Sequence, residues 1–356
     1  MIDQPYSLAQ LGWRPFYSRQ LTLEELDEGF PARVASVERG LVAVLGEPGE
    51  QRALLSQRLR SDPLGSSITV GDWVLVRNET RQVVRLLERQ SLIARMAAGT
   101  AQVSQSIAAN VDTLFLVTSC SADFNPSRLE RYLAVAHEAR VTPVVLLTKA
   151  DTCADPQSYV AAARTIAKNL EVIALNATDA AHSLESLAPW LGDGQTVAFV
   201  GSSGVGKSTL INSLLGAARQ QTREARVSDS RGRHTTTARY LLRALCGAWL
   251  IDTPGMRELK IGAVAAGLGR TFDDIESLAA QCRFRDCSHR EETGCAVRAA
   301  VAGGRLEPRR LENYLKLARE AQRAAIPRWK LHAINRRGGR LTREAQQRRR
   351  KDRGRE

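Results

Sequence analysis

The chain has 356 residues and carries 51 Lys or Arg against 38 Asp or Glu, a formal net charge of +13. It contains no run of eighteen apolar residues, and its start lacks the basic-then-apolar order of a secretory signal, so neither a helical membrane protein nor a secreted one is expected. The length suits two to three domains of a soluble, cytoplasmic, monomeric protein with reduced cysteines.

In chain order, residues 1–31 read as an irregular leader containing Gly12-Trp13. Short alternating segments at 32–37, 41–45 and 73–76, separated by Gly, Pro and Asp turns, predict a small β-barrel of the OB type over residues 32–90. A polar connector containing Gly99 leads to Asn110. The pattern then alternates between strands at 111–118, 143–147 and 171–175 and helices at 127–139 and 158–169, which predicts a parallel α/β sheet. The α/β region spans 91–265 and contains the chemistry-bearing motifs.

An apolar run at 197–200 precedes Gly201-Ser202-Ser203-Gly204-Val205-Gly206-Lys207-Ser208-Thr209, and helix-like 207–215 follows. This is the strand, loop and helix setting of a phosphate loop. Its backbone N–H groups and helix N-terminus cradle phosphate oxygens, Lys207 reaches the β- and γ-phosphates, and the Ser208 hydroxyl is placed for Mg²⁺. A glycine-rich turn without a ligand is the bland alternative.

Thr148-Lys149-Ala150-Asp151 follows the strand at 143–147. A carboxylate accepts hydrogen bonds only, so Asp151 matches the N1–H and N2–H₂ edge of guanine, which adenine lacks, while the Lys149 stem lies along the base. Taken alone, Thr-Lys-x-Asp at a strand end is more often a solvated turn. Only seven of the 51 basic residues are Lys, and two of them are Lys149 and Lys207.

Asp252-Thr253-Pro254-Gly255 follows an apolar stretch at 248–251. Asp252 reads as a Mg²⁺-side carboxylate and Gly255 as the close backbone approach to the γ-phosphate. Arg233-His234-Thr235-Thr236-Thr237 lies between the phosphate loop and this motif, where Thr236 completes the Mg²⁺ shell of a mobile switch. Many GTPases place Gln after DxxG; this chain has Met256. His234 is therefore the candidate for positioning water.

Cys282, Cys287, His289 and Cys295 have the spacing C-x4-C-x-H-x5-C, and a helical pattern follows to about Glu320. Three thiolates and an imidazole form a closed tetrahedral donor set suited to one structural Zn²⁺, with no position left for catalysis. A reduced Cys cluster without metal is the alternative. Cys120 and Cys246 fall near apolar strand patterns and read as small core residues.

Together these motifs, with the guanine loop ahead of the phosphate loop, resemble the circularly permuted GTPases. The zinc cluster, Gly232-Arg233-His234-Thr235-Thr236-Thr237 and Val70-Gly71-Asp72-Trp73-Val74 resemble the ribosome small-subunit-dependent GTPase A family (RsgA/YjeQ). The resemblance covers nearly the whole chain. It implies GTP hydrolysis stimulated by the small ribosomal subunit, a role in late maturation of that subunit, and a second base-reading loop at Asn176-Ala177, where family members more often have Ser before Ala. It also places a mostly helical zinc-binding domain at 270–335.

Residues 336–356 hold ten basic and three acidic side chains, a net of +7 that leaves +6 for the other 335 residues. Such a tail is expected to be disordered and drawn to rRNA phosphates. Two other readings compete with the GTPase: an RNA-binding adaptor whose nucleotide site is a sensor without turnover, which Met256 keeps open, and an ATP-driven factor, which Asp151 opposes.

Overall fold

The computed structural model describes residues 5–38, 41–61, 67–96, 104–216, 239–252 and 264–325. Helices α1 (Pro15–Ser18) and α2 (Leu23–Glu28) precede strands β1 (Gly29–Glu38), β2 (Leu41–Gly46) and β3 (Gly49–Leu55). Helix α3 (Gln57–Ser61), β4 (Trp73–Arg77) and β5 (Gln82–Leu86) follow. The strands run β1-β2-β3-β5-β4, and β4 returns to pair with β1, which closes a five-stranded barrel. Its interior includes Ala32, Val34, Val42, Val44, Val74 and Val76, alternating and mostly β-branched positions that make one face of each strand apolar.

The leader is packed rather than irregular. Thr22 and Glu25 form a capping box that starts α2. The Trp13, Tyr17 and Trp73 rings meet with centroids 4.7–5.6 Å apart, and Trp249 Nε1 donates to Gln10 O at 2.7 Å. Aromatic burial of this kind removes roughly 150–250 Å² per ring from water, enough to hold a segment with little regular structure. The expected polar connector is also structured. β6 (Leu92–Met96) and β7 (Ser104–Ala109) form an antiparallel ribbon, although the serines and alanines of β7 leave its pattern weakly apolar.

Five parallel strands form the α/β sheet: β8 (Thr113–Ser119), β9 (Thr142–Thr148), β10 (Glu171–Ala174), β11 (Thr196–Val200) and β13 (Trp249–Asp252), in the order β10-β9-β8-β11-β13. Every residue of β8 and β11 is buried, as strands covered on both faces require. Antiparallel β12 (Tyr240–Arg243) follows β13 in the sheet and pairs with β1 at Ser36 and Tyr240, so barrel and α/β sheet are continuous.

Helix α4 (Pro126–Glu138) starts with Asn125 as N-cap and Pro126 in the first turn. Asp155 and Pro156 do the same for α5 (Pro156–Arg164). That helix stops short of the expected residue 169, because Thr165 Oγ1 turns back to Ala162 O at 2.8 Å and Asn169 adopts φ 55°. Helices α6 (Ala180–Leu187) and α7 (Lys207–Leu215) complete the layers. Then come α8 (Ala265–Thr271), α9 (Asp273–Ala279), α10 (Ala296–Ala302) and α11 (Pro308–Ala325). Among the described residues no helix is long and apolar enough to cross a membrane. Cys120 is buried as expected, whereas Cys246 is exposed; it lies in the tight turn between β12 and β13, where the chain leaves the core.

Candidate functional site

Because the five strands are parallel, their C-terminal ends share one edge, the edge at which open α/β sheets bind ligands. Thr148 ends β9, Asn176 follows β10, the phosphate loop follows β11 and Asp252 ends β13. Residues 57 positions apart, 148 and 205, are thereby brought into contact: Thr148 Oγ1 lies 2.6 Å from Val205 O and 3.1 Å from Thr118 O.

The phosphate loop has its glycines in conformations that L side chains rarely adopt, with φ 158° at Gly201, 80° at Gly204 and 89° at Gly206. Lys207 Nζ donates to Gly201 O at 2.6 Å and to Ser202 O, so its ammonium stands over the loop. Ser203, Gly204, Ser208 and Thr209 are exposed at the mouth, while Val205 is buried beneath it. Lys149 has a left-handed backbone, φ 57°, which turns the chain sharply after β9 and leaves Lys149 and Asp151 exposed at the edge. Ala150 N–H donates to Leu175 O at 3.4 Å, joining this turn to the end of β10.

The Asn176 amide oxygen is engaged locally: Oδ1 accepts from Thr178 N–H at 3.0 Å and Thr178 Oγ1 at 2.7 Å, an Asx turn. Ser213 of α7 donates to Ala177 O at 2.7 Å. The second base loop is thus tied to the helix that follows the phosphate loop. Thr236, His234 and Gly255 lie outside the described residues, as does the Asp252 side chain.

A second constellation lies after α9. The ligand atoms of Cys282, Cys287, His289 and Cys295 lie within 4.8 Å of one another. Cys282 Sγ and Cys295 Sγ are 3.9 Å apart, and His289 Nδ1 is 3.6 and 3.5 Å from them. A tetrahedron with metal–sulfur bonds of about 2.3 Å has edges of about 3.8 Å, so the residues present fit one metal ion. A cleft of about 500 Å³ on the barrel, lined in part by Glu25, Glu28, Arg77 and Arg85, lies apart from both constellations. Its charges pair with each other, Arg85 with Glu25 at 2.6 Å and Arg77 with Glu28 at 3.0 Å.

The family model described as RsgA GTPase matches residues 86–262. A Vibrio vulnificus protein named small ribosomal subunit biogenesis GTPase RsgA 2 is 49% identical over 318 residues, covering 89% of each chain. The Vibrio parahaemolyticus protein of the same name is 46% identical over 351 residues, 99% of this chain and 96% of that one. The chain belongs to the RsgA GTPase family. Two solved structures agree: YjeQ from Thermotoga maritima, with TM-score 0.60 and 26% identity over 83% of this chain and 99% of that one, and YloQ, a circularly permuted GTPase, with TM-score 0.57 and 26% identity over 84% and 97%.

Family membership identifies the chain as a GTPase, with the motif order of a permuted domain, and Mg²⁺ accompanies GTP in such enzymes. Sequence reasoning missed several residues at this site. Arg128 of α4 reaches Ser202, and Ser213 reaches Ala177. Burial was the only available signal, since Glu130 and Arg131 interrupt an otherwise apolar stretch of α4.

Proposed function

We propose that the protein binds the small ribosomal subunit and assists its late maturation, with GTP hydrolysis stimulated by the subunit and controlling release. The observation that carries this reading is the bond from Thr148 to Val205, which joins the guanine motif to the phosphate loop at one sheet edge. Lys207 reaches the β- and γ-phosphates; in Thr148-Lys149-Ala150-Asp151 the last three residues read the guanine, while Thr148 braces the motif against the phosphate loop. Gly201, Ser202, Ser203, Gly204, Val205, Gly206, Ser208 and Thr209 surround the phosphates through backbone N–H groups and hydroxyls. With the Asn176 side chain held by Thr178, the Asn176-Ala177 loop contributes its backbone.

Bound Mg²⁺ neutralises charge on the phosphate oxygens. Ser208 and Thr236 would be its protein ligands and Asp252 would support it, while Gly255 would approach the γ-phosphate and His234 would position the attacking water. Cys282, Cys287, His289 and Cys295 hold one structural Zn²⁺, supported by the closed donor set and its spacings. The barrel, of OB type by its strand order, the metal module and the basic residues 336–356 form the rRNA surface of a cytoplasmic monomer. We adopt 1–31, 32–90, 91–265, 270–335 and 336–356 as leader, barrel, GTPase domain, zinc domain and tail.

Phosphate release measured with and without purified small subunits tests the reading, together with cosedimentation in GDP and in a non-hydrolysable GTP analogue. Stimulated release and analogue-dependent binding are expected. Nucleotide-dependent binding without any stimulated release would instead support a sensor without turnover, the alternative that Met256 keeps open.

A further inference from the structure

Helix α4 contacts the phosphate loop through Arg128, whose Nη1 donates to Ser202 Oγ; Tyr132, one turn later, is buried. Residues four apart lie on one helix face. This face of α4 therefore addresses the second residue of the loop, beside Lys207.

The neighbouring positions of the same helix grip α11. Glu130 is fully buried and accepts from Arg309 at 3.1 Å, Arg310 at 3.0 Å and Asn313 Nδ2 at 2.5 Å. Arg131 pairs with both carboxylate oxygens of Glu320 at 2.7 and 2.9 Å. Arg310 also spans to Asp274 of α9 at 2.7 and 2.8 Å. A carboxylate without water is tolerable only while its donors are in place. Residues 128–132 span little more than one helical turn, so the clasp and the contact with Ser202 share one short segment of α4.

We propose that α4 is a relay between the C-terminal metal module and the GTPase site, resting on the assignment of the phosphate loop to nucleotide. Glu130 and Arg131 are positioning residues: clasped by α11, they set where Arg128 stands against Ser202. A partner that grips the module thereby adjusts the phosphate loop across the helix packing, by a route independent of the chain between Asp252 and α8.

The test uses the full chain, with Glu320→Gln, Arg128→Ala, Arg128→Lys and the double variant of Glu320→Gln with Arg128→Ala. Affinities for fluorescent GDP and a non-hydrolysable GTP analogue, kcat, bound metal and melting temperature are measured for each. Glu320→Gln is expected to retain its metal and change analogue affinity or kcat about 2- to 30-fold, the span by which mutations along a coupling route act. In the Arg128→Ala background the same substitution should have no further effect, and Arg128→Lys should restore part of the loss. An unchanged Glu320→Gln protein, or losses that simply add in the double variant, would overturn the relay even if stability fell. If the wild type prefers another nucleoside triphosphate, the guanine reading fails and the same cycle scores the relay on that nucleotide. A chain that binds none sinks both.

Discussion

Thr148 and Val205 are joined by a hydroxyl-to-carbonyl hydrogen bond of 2.6 Å in the buried floor between two motifs. The first residue of the guanine motif thus braces the phosphate loop instead of facing the base. Its hydroxyl also lies 3.1 Å from Thr118 O, at the end of the intervening strand β8. One side chain sets the relative position of the two halves of the site.

Replacing Thr148 with Val keeps the shape and leaves two buried carbonyls without this donor. A loss of about 1–3 kcal/mol in stability is expected, with weaker GDP binding, while Thr148→Ser retains both. Denaturation and nucleotide titration of the two variants check the contrast.

Gly201 and Gly204 should respond differently to Ala. A Cβ on Gly201 would stand 2.1 Å from Val117 O, a backbone atom of β8, whereas nothing lies within 4 Å of one on Gly204. Gly204→Ala carries the backbone strain alone, about 1–2 kcal/mol. Gly201→Ala must also displace a central strand, so nucleotide binding should be abolished there and only reduced in Gly204→Ala.

Glu292 organises the metal loop without being a ligand. Its carboxylate accepts from Ser288 N–H at 2.9 Å, Ser288 Oγ at 2.5 Å, Arg290 N–H at 3.0 Å and Glu291 N–H at 3.1 Å. These bonds enclose His289, whose φ is 58°. Glu292→Ala should lower metal affinity about 10- to 100-fold, read by competition with a chromophoric chelator, with near-normal nucleotide binding. Stripping the metal from the wild type should melt α10, whose N-cap is Cys295.

His137 gives the fold a pH dependence. Burial, and then the nearby Arg270, hold its pKa below 6.5. The unfolded chain therefore takes up the proton at higher pH than the folded chain. This contribution to stability is complete above about pH 6.5 and is lost as pH falls toward the folded value. Thr271 Oγ1, which donates to Gly267 O at 2.8 Å, accepts from His137 Nδ1 at 3.0 Å, so the neutral ring carries its proton on Nδ1. Denaturant unfolding between about pH 8 and 5.5 should show a decline that His137→Gln flattens.

Much of the site was legible in short segments because its chemistry is local. The glycine spacing at 201–206, the thiol and imidazole spacing at 282–295 and the apolar runs before Lys207 and Thr148 each express a constraint within about fifteen residues. Asn176 was harder to read: its position in the chain marks a base loop, but its amide oxygen is taken up by Thr178. The same holds for Cys246, since an apolar strand pattern does not reveal that the residue sits in an exposed turn.

By itself, then, the sequence determined the family, the order of the motifs and the donor set of the metal cluster, all of which depend on residue identity at short spacing. Only the tertiary structure decided that Trp13 packs on Trp73, that Thr148 braces Val205, and that Arg128 and Glu130 link the phosphate loop to α11. These contacts join residues 57 to 180 positions apart. They follow from parallel strand order and helix packing, which bring distant segments together without leaving a periodic signal in either one.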